Sequence, residues 1–386
     1  MHQQSRIAAF ALFCFMLSVF SVAEHASFRI RDLGIKPGIF SPGPLNAITD
    51  VAGVRVGHRT IWKGDSIRTG VTAILPHAGD LFLQKTPAAV FTANGFGKAA
   101  GFLQVQELGN IEAPIVLTNT LCVGRAVEAV VRWTLKQSGH ENIRSVNAIV
   151  GETNDGYLND IRGMHVTIED VHAAIGSAAS GTGAEGSVGA GTGTSAFGWK
   201  SGIGTSSRLL PQGLGGYTVG VLVQSNFPGV LTIDGRRVGE ILGQFDFSQE
   251  VRQSSETGTR DGSIMIVIAT DAPLSSRNLE RIAKRAMLGL ARTGSYISNG
   301  SGDFIIVFST KNLISMDSTL PVMQVTELQN DKMDPLFLAT VEAVEEAIYN
   351  SLVAAKTVRG HEGHVRESMP IDRLREIFNS ERPREK

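Results

Sequence analysis

Cysteine is scarce in this chain, which has only Cys14 and Cys122 among its 386 residues. Cys14 lies in an N-terminal stretch that is predicted to be removed, so one cysteine remains and no intramolecular disulfide can form. The protein must therefore rely on its buried core for stability. Cys122 stands between Leu121 and Val123, a context that favours a buried small hydrophobe, with a catalytic thiol as the alternative.

The chain also lacks an excess of charge of either sign. Its formal net charge is −1 and its isoelectric point is near 6.8. Bulk electrostatics therefore do not favour the binding of nucleic acid or of an anionic membrane. The densest basic run, at Arg382, Arg384 and Lys386, alternates with acidic residues and is predicted to be a solvated terminus.

Several common catalytic and binding motifs are missing or misplaced. The sequence has no GxxxxGK[ST] phosphate loop and no GxSxG nucleophile elbow. Residues 181–186 fit GxGxxG, but residues 168–175 before them predict a helix where a dinucleotide site needs a strand. His361 and His364 are three residues apart rather than four, so a surface loop is favoured over a zinc-protease helix.

An uncharged, almost continuously apolar run from Ile7 to Ala23 lies between Arg6 and Glu24. It ends in small residues at the two positions that a signal peptidase reads, so residues 1–23 are predicted to be a cleaved signal peptide. An uncleaved anchor is the alternative, since the run is at the lower limit for a membrane span. We therefore expect a periplasmic or secreted protein with no stable membrane association after signal removal.

Glycine is abundant, with 43 residues, and hydrophobic residues make up 42% of the chain. That hydrophobic content predicts a globular protein with a sizeable core, and the clustered glycines indicate places where the backbone bends or approaches another group closely. The run from Gly176 to Gly204 either wraps near an active site or forms a long surface loop in assembly contacts.

Apolar patterning predicts alternating strands and helices, and therefore a layered α/β sandwich. Residues 264–269 form a continuous β-branched run, which is typical of a strand covered on both faces. Asp334 and Pro335 predict the capped start of a last helix with one apolar stripe, from Phe337 to Leu352. The other predicted strands are residues 71–75, 115–117, 148–150 and 304–308, and the other predicted helices are residues 97–108, 126–137 and 276–294.

A polar segment, residues 257–263, leads directly into the buried strand that starts at Ile264. Its Gly262–Ser263 junction suits an N-to-O acyl shift, because glycine permits the bent geometry and close approach that the attacking hydroxyl needs. Hydrolysis of the resulting ester would free an α-amino group on Ser263. That amine titrates near ~7.7–8 and can serve as the general base for the hydroxyl of its own residue.

A series of motifs resembles the P1 family of self-processing serine aminopeptidases, which includes the L-aminopeptidase/D-amidase-esterases and the β-peptidyl aminopeptidases. Together the matches span roughly residues 30 to 370, nearly the whole mature chain. The matching segments are residues 46–58, 94–98, 117–121, 151–160, 186–194, 202–208, 261–263 and 300–303.

The resemblance implies roles for individual residues. Ser263 would be both the cleavage site and the nucleophile, with Gly262 on the other side of the scissile bond. Asn226 would supply a side-chain amide to the oxyanion, and the Tyr157 hydroxyl would act at the same site or orient the substrate carbonyl. Ser301 would relay hydrogen bonds around the new amine, and Asp303 would hold that network, although some relatives have glutamate there.

An aminopeptidase must also bind the ammonium group of its substrate. Asp155 is the first candidate for this anionic anchor and Glu152 the second. Each could instead be a turn residue or a member of a structural ion pair.

The family fold, as the resemblance implies it, is an αββα sandwich like that of N-terminal-nucleophile hydrolases with different connectivity. Segments 24–262 and 263–386 would form one catalytic domain, assembled into a homo-oligomer of processed units. The substrates would be short peptides, amides or esters with a free amino terminus, and no metal or organic cofactor is needed. An ornithine-acetyltransferase-like acyltransferase and a non-processed exported binding protein on the same scaffold are the alternatives.

Overall fold

The computed structural model describes residues 28–251, 262–316 and 320–379. The predicted signal peptide, most of the polar segment before Gly262 and the basic terminus lie outside these residues. The strands are β1 Arg55–Lys63, β2 Ile67–Leu75, β3 Gln84–Gly95, β4 Asn110–Ile111, β5 Ile115–Asn119, β6 Ile149–Thr153, β7 Ser195–Ala196, β8 Trp199–Lys200, β9 Ile203–Leu209, β10 Thr218–Asn226, β11 Ser263–Thr270, β12 Gly302–Ser309, β13 Ile314–Ser315, β14 Val358–Arg359 and β15 Val365–Arg366. The helices are α1 Phe102–Leu108, α2 Val123–Leu135, α3 Ile168–Gly176, α4 Val238–Leu242, α5 Ser248–Val251, α6 Ser276–Arg292, α7 Asp334–Val353 and α8 Ile371–Asn379.

Two sheets lie face to face between two layers of helices. The larger sheet has the order β13-β3-β12-β11-β10-β9, with β4 added beside β3, and the smaller sheet has the order β1-β2-β5-β6. Helices α6 and α7 cover the outer face of the larger sheet, and α2 and α3 cover the outer face of the smaller one. The predicted αββα sandwich is confirmed. No helix in the described part of the chain is long and apolar enough to cross a bilayer.

Strand β11 lies in the centre of the larger sheet, antiparallel to β10 and parallel to β12. Its side chains alternate between the two cores: Ile264 and Ile266 pack beneath α6 and α7, whereas Met265 and Val267 pack between the sheets. Because both faces of β11 are buried, its sequence is continuously apolar rather than alternating. The prediction for residues 264–269 is therefore confirmed.

Two helix predictions have the wrong limits. The helix expected over residues 97–108 begins only at Phe102, because Gly101 has a left-handed φ of 83° and ends the preceding loop. Residues 97–100 instead approach the neighbouring strands, and a Cβ at Gly97 would lie 2.7 Å from the Phe304 ring. The helix expected over residues 126–137 runs from Val123 to Leu135.

Helix α7 differs from the amphipathic helix that its apolar stripe predicts. Met333 is its N-cap residue and Asp334 is its first helical residue. The face opposite the stripe is buried as well, and its glutamates form ion pairs, such as Glu342 with Arg208 at 3.1 Å and Glu346 with Arg208 at 2.8 Å. Buried carboxylates need such partners, so α7 combines an apolar stripe with an interior ionic row.

Strand β9 and helix α7 pack closely at Gly204, where a Cβ would lie 2.0 Å from the Ala347 carbonyl oxygen. Because the obstacle is helix backbone, we expect Gly204→Ala to lower the free energy of unfolding by about 1–3 kcal/mol. Gly213→Ala is the control, since a Cβ there meets no atom within 4 Å. Chemical denaturation of both variants measures the difference, and equal stabilities would contradict this packing.

Candidate active site

Three neighbouring strands bring Asn226, Ser263 and Gly302 into one row. Asn226 is the last residue of β10 and pairs with Ser263, the first residue of β11, which pairs in turn with Gly302 at the start of β12. Ser301 and Asp303 flank Gly302, so the nucleophile and three of its predicted partners converge at one end of three inner strands of the larger sheet. Strand pairing explains this convergence, because residues far apart in sequence become neighbours across the ladder.

The Ser263 hydroxyl is buried and faces two hydrogen-bond donors. The backbone N–H of Asn154 and the Nδ2 group of Asn226 each lie 3.4 Å from its Oγ. The Asn154 amide was not predicted, since a backbone donor leaves no trace in the residue types. Together the two donors mark a polar pocket at the oxygen that would attack an acyl group.

The orientation of the Asn226 side chain is fixed by its backbone neighbours. The N–H of Ser195 donates to Asn226 Oδ1 at 3.1 Å, and Nδ2 donates to the Asn154 carbonyl at 2.9 Å. A backbone N–H can only donate and a carbonyl can only accept, so the amide nitrogen must face Ser263. Asn226 is thus held as a donor toward Ser263 before any substrate arrives.

The glycine-rich run has two parts with different environments. A Cβ added at Gly181 or Gly183 would meet no atom within 4 Å, and both residues lie at the surface, whereas a Cβ at Gly202 would lie 1.8 Å from the Gly186 carbonyl oxygen. Close backbone packing over residues 186–204 positions Ser195 against Asn226. The interpretation that the run wraps near the active site therefore holds for this second part.

Ser301 and Asp303 form a buried pair beside Ser263. Ser301 Oγ donates to Asp303 Oδ1 at 2.8 Å, while Asp303 Oδ2 is buried with no hydrogen-bond partner among the described residues. Burial raises the pKa of the Asp303 carboxyl to about 6, and the Ser301 hydrogen bond opposes this shift. An unsatisfied buried oxygen of this kind is a place for an added donor, and a cationic donor would fit best.

The segment that carries Ser301 is held by the 94–98 motif. Asn94 Nδ2 donates to the Ser301 carbonyl, and the Phe96 N–H donates to the same oxygen at 3.2 Å. Residues 94–98 therefore hold the Ser301 backbone in place beside the site.

Tyr157 lies in a stack of three side chains. Its ring is parallel to the His364 ring with a 4.4 Å separation of centroids, and Arg366 Cζ lies 3.6 Å from the Tyr157 centroid. The tyrosine is 40% exposed, and its hydroxyl has no hydrogen-bond partner in the described part of the chain. The hydroxyl is thus open to a substrate. His364 belongs to the surface loop that the sequence predicted.

Asp155, the first candidate for the ammonium anchor, is enclosed in the protein. Asp155 is 1% exposed, and its Oδ1 accepts a hydrogen bond from Asn159 Nδ2 at 2.9 Å. Burial raises its pKa to about 7. A Cβ at Gly193 would lie 2.9 Å from the Asp155 Cβ, so the loop that carries Asp155 packs closely against the glycine-rich run. Asp155 Oδ2 is buried with no hydrogen-bond partner among the described residues, and the role of this residue in substrate binding stays a prediction.

Lys200 lies in the same interior region and was missed by sequence reasoning, since a single lysine carries no motif. Its Nζ is fully buried and donates to the carbonyls of Gly191, at 3.0 Å, and Ser201. Burial lowers its pKa to about 7, and the charge of Asp155 opposes that shift. Lys200 thus supplies hydrogen-bond donors to buried carbonyl groups of the glycine-rich run.

Glu152, the second candidate for the ammonium anchor, is also buried. It accepts hydrogen bonds from the Lys98 N–H at 3.0 Å and from the Thr120 hydroxyl, and burial raises its pKa. A Cβ at Gly97 would lie 3.1 Å from its Oε1 and 3.2 Å from the Gly302 Cα. Its role in substrate binding stays a prediction.

A cleft of about 230 Å³ opens beside Asn226. Gly262 lies against its wall, where a Cβ would come within 2.6 Å of Pro228 Cδ. Any residue larger than glycine before Ser263 would therefore displace Pro228 from its position in this wall. The other lining residues include Ser195, Phe197, Phe227, Gln244, Asp246 and Arg366.

Known proteins are similar to this chain in sequence and in fold. Residues 46–366 match peptidase family S58. The beta-peptidyl aminopeptidase of Sphingosinicella microcystinivorans is 41% identical over 375 residues, which cover 92% of each chain.

Two solved structures are similar over nearly the whole chain. A beta-aminopeptidase from Burkholderia sp. has a TM-score of 0.83 and 41% identity, covering 92% of this chain and 100% of that one. An L-aminopeptidase D-Ala-esterase/amidase from Ochrobactrum anthropi has a TM-score of 0.83 and 37% identity, covering 91% and 98%. The second is described as a prototype of the serine aminopeptidases and a variant of the Ntn hydrolase fold.

The four-layered fold and these likenesses define a serine aminopeptidase with the architecture of the N-terminal-nucleophile hydrolases. The chain belongs to peptidase family S58. The serine aminopeptidase family that its motifs resemble is therefore confirmed.

The fixed orientation of Asn226 gives a direct test of its donor role. Asn226→Asp keeps the shape of the side chain but removes its donor, so we expect kcat/KM for an aminopeptidase substrate to fall about 10²–10³-fold. Asn330→Asp, at an exposed position remote from Ser263, is the matched control. Steady-state kinetics on folded protein measures both, and an unchanged rate for Asn226→Asp would contradict the assignment.

Proposed function

We propose that this aminopeptidase cleaves its own chain between Gly262 and Ser263 and then uses Ser263 as the nucleophile of an acyl-enzyme mechanism. The observation that supports it most is the environment of the junction. The Gly302 N–H donates to the Gly262 carbonyl oxygen at 3.2 Å, while the Ser263 hydroxyl lies between Asn154 and Asn226. The carbonyl to be attacked and the attacking oxygen are thus both held by preorganised donors.

Self-cleavage proceeds through an ester. Ser263 Oγ attacks the Gly262 carbonyl carbon, its proton passes to the leaving nitrogen, and the bond between that carbon and the Ser263 nitrogen breaks. Water then hydrolyses the ester, which returns the hydroxyl and leaves a carboxylate on Gly262. The Gly302 N–H stabilises charge that develops on the Gly262 oxygen during the attack.

The amine released on Ser263 becomes the general base of the mature enzyme. It takes the proton of the Ser263 hydroxyl as that oxygen attacks the substrate carbonyl, and it returns the proton to the leaving amine. Asp303 Oδ2, buried and without a partner among the described residues, would accept a hydrogen bond from the ammonium form. Ser301 holds the other carboxylate oxygen and so fixes the direction of that contact.

The proposed substrates are short peptides, amides and esters with a free amino terminus. The names of the relatives support this range, since they describe a beta-peptidyl aminopeptidase and an L-aminopeptidase D-Ala-esterase/amidase. The cleft beside Asn226 would take part of such a substrate, and the Tyr157 hydroxyl would orient its carbonyl.

Export and assembly belong to the same proposal. The apolar run from Ile7 to Ala23 supports export to the periplasm or beyond, with removal of the signal after Ala23. A homo-oligomer of processed units is carried over from the family resemblance.

Self-cleavage is tested by the intact mass of the purified protein. We expect the wild type to give two fragments that meet at Gly262 and Ser263, because the junction is already poised for attack. Ser263→Ala should give one uncut chain and no aminopeptidase activity, while Ser177→Ala, at an exposed helix end, should be cut like the wild type. One uncut chain in all three, after long incubation, would contradict the proposed self-cleavage.

The role of Asp303 predicts a shift in the pH profile. A carboxylate beside the Ser263 ammonium stabilises the protonated amine and holds its pKa up, and activity needs the free amine. Asp303→Asn should therefore move the acid limb of kcat/KM toward lower pH by about one unit.

The pH profile is measured on the processed fraction only, quantified by intact mass. Asp303→Glu keeps the charge and should leave the acid limb near its wild-type position. An Asn variant whose acid limb coincides with that of the wild type would show that Asp303 does not act on the amine.

A further inference from the structure

Arg366 is a half-buried guanidinium that lacks an acceptor. Its Nε is buried with no hydrogen-bond partner, and no hydrogen bond or ion pair joins its side chain to any described residue. Burial lowers its pKa, and no carboxylate of the described residues forms an ion pair with it. Arginine in such surroundings normally pairs with a carboxylate, phosphate or carbonyl, which indicates that its partner comes from outside the described chain.

The position of Arg366 connects it to the reaction site. Its guanidinium lies over the Tyr157 ring, with 3.6 Å from Cζ to the ring centroid, and the same ring stacks on His364. This stack limits the freedom of a long side chain, so less entropy is lost when it binds a ligand. Arg366 also lines the cleft that Asn226 borders, and Asn226 contacts the nucleophile.

The other described charged group of this cleft is Asp246. Its carboxylate accepts hydrogen bonds from the Tyr296 hydroxyl and from the Phe247 N–H at 3.2 Å, and it makes no ion pair with Arg366. Asp246 therefore does not supply the acceptor that Arg366 lacks. Such a cleft suits a substrate that has a negative group as well as a free amine.

We propose that Arg366 binds a carboxylate of the substrate and makes the enzyme prefer short peptides that present one within reach of the cleft. This inference rests on the proposed function of Ser263. A guanidinium fork can bind both carboxylate oxygens at once, which a lysine ammonium cannot do in the same geometry. The carboxylate is either the free C-terminus of a dipeptide or an acidic side chain of the N-terminal residue.

The test compares substrate pairs that differ in one charge. One arm uses a dipeptide and its C-terminal amide, and the other arm uses dipeptide amides that begin with aspartate or with asparagine. We expect the wild type to prefer the charged member of at least one pair, by about tenfold or more in kcat/KM. Arg366→Gln should abolish that ratio, and Arg366→Lys should restore only part of it.

The readout is the ratio of kcat/KM between the charged and the uncharged member of each substrate pair, taken within one variant. If an Arg366 substitution disturbs Tyr157 and lowers activity in general, both members of a pair are affected equally. Arg359→Gln, on the paired strand of the same hairpin and outside the cleft lining, should keep the wild-type ratio. The arm that responds identifies the source of the carboxylate. An active, self-cleaved enzyme with equal ratios in the wild type and Arg366→Gln would overturn this inference, whereas an enzyme inactive on all four substrates would overturn the proposed function.

Discussion

The pairing of β11 with β10 on one side and β12 on the other places Asn226 and the segment from Ser301 to Asp303 beside Ser263. Asn226 faces the serine across an antiparallel ladder, and Gly302 faces it across a parallel one. A slip of one residue in either ladder would turn the partner side chains to the opposite face of the sheet. The two cores that enclose β11 prevent such a slip, since its apolar side chains fill both of them.

Close backbone contact is the second constraint. The loops that surround Ser263 approach one another at glycine, as at Gly202 against Gly186 and at Gly97 against Gly302. This closeness allows backbone N–H and carbonyl groups to orient Asn226 from both sides. Catalytic side chains need such rigid surroundings, because the contacts that support them determine how accurately they are positioned.

Buried charged groups differ in how fully they are paired. Arg208 in the interior has its carboxylates, and Lys200 has its carbonyls. Asp303 and Arg366 each keep a buried polar atom without a partner in the described part of the chain, and both lie beside the nucleophile or its cleft. A buried polar atom without a partner lowers the stability of the free protein. A ligand or a new chain terminus that supplies the missing hydrogen bond restores that stability.

The sequence by itself determined the family, the layered α/β class, the central strand at residues 264–269 and the residues expected around Ser263. Local patterns suffice for these because apolar periodicity and motif residues are readable along the chain. Only the tertiary structure decided that Asp155 is enclosed, that the Asn154 amide faces the serine, and that Arg366 stacks on Tyr157. Burial, backbone donors and stacking depend on segments distant in sequence, so no local pattern could have determined them.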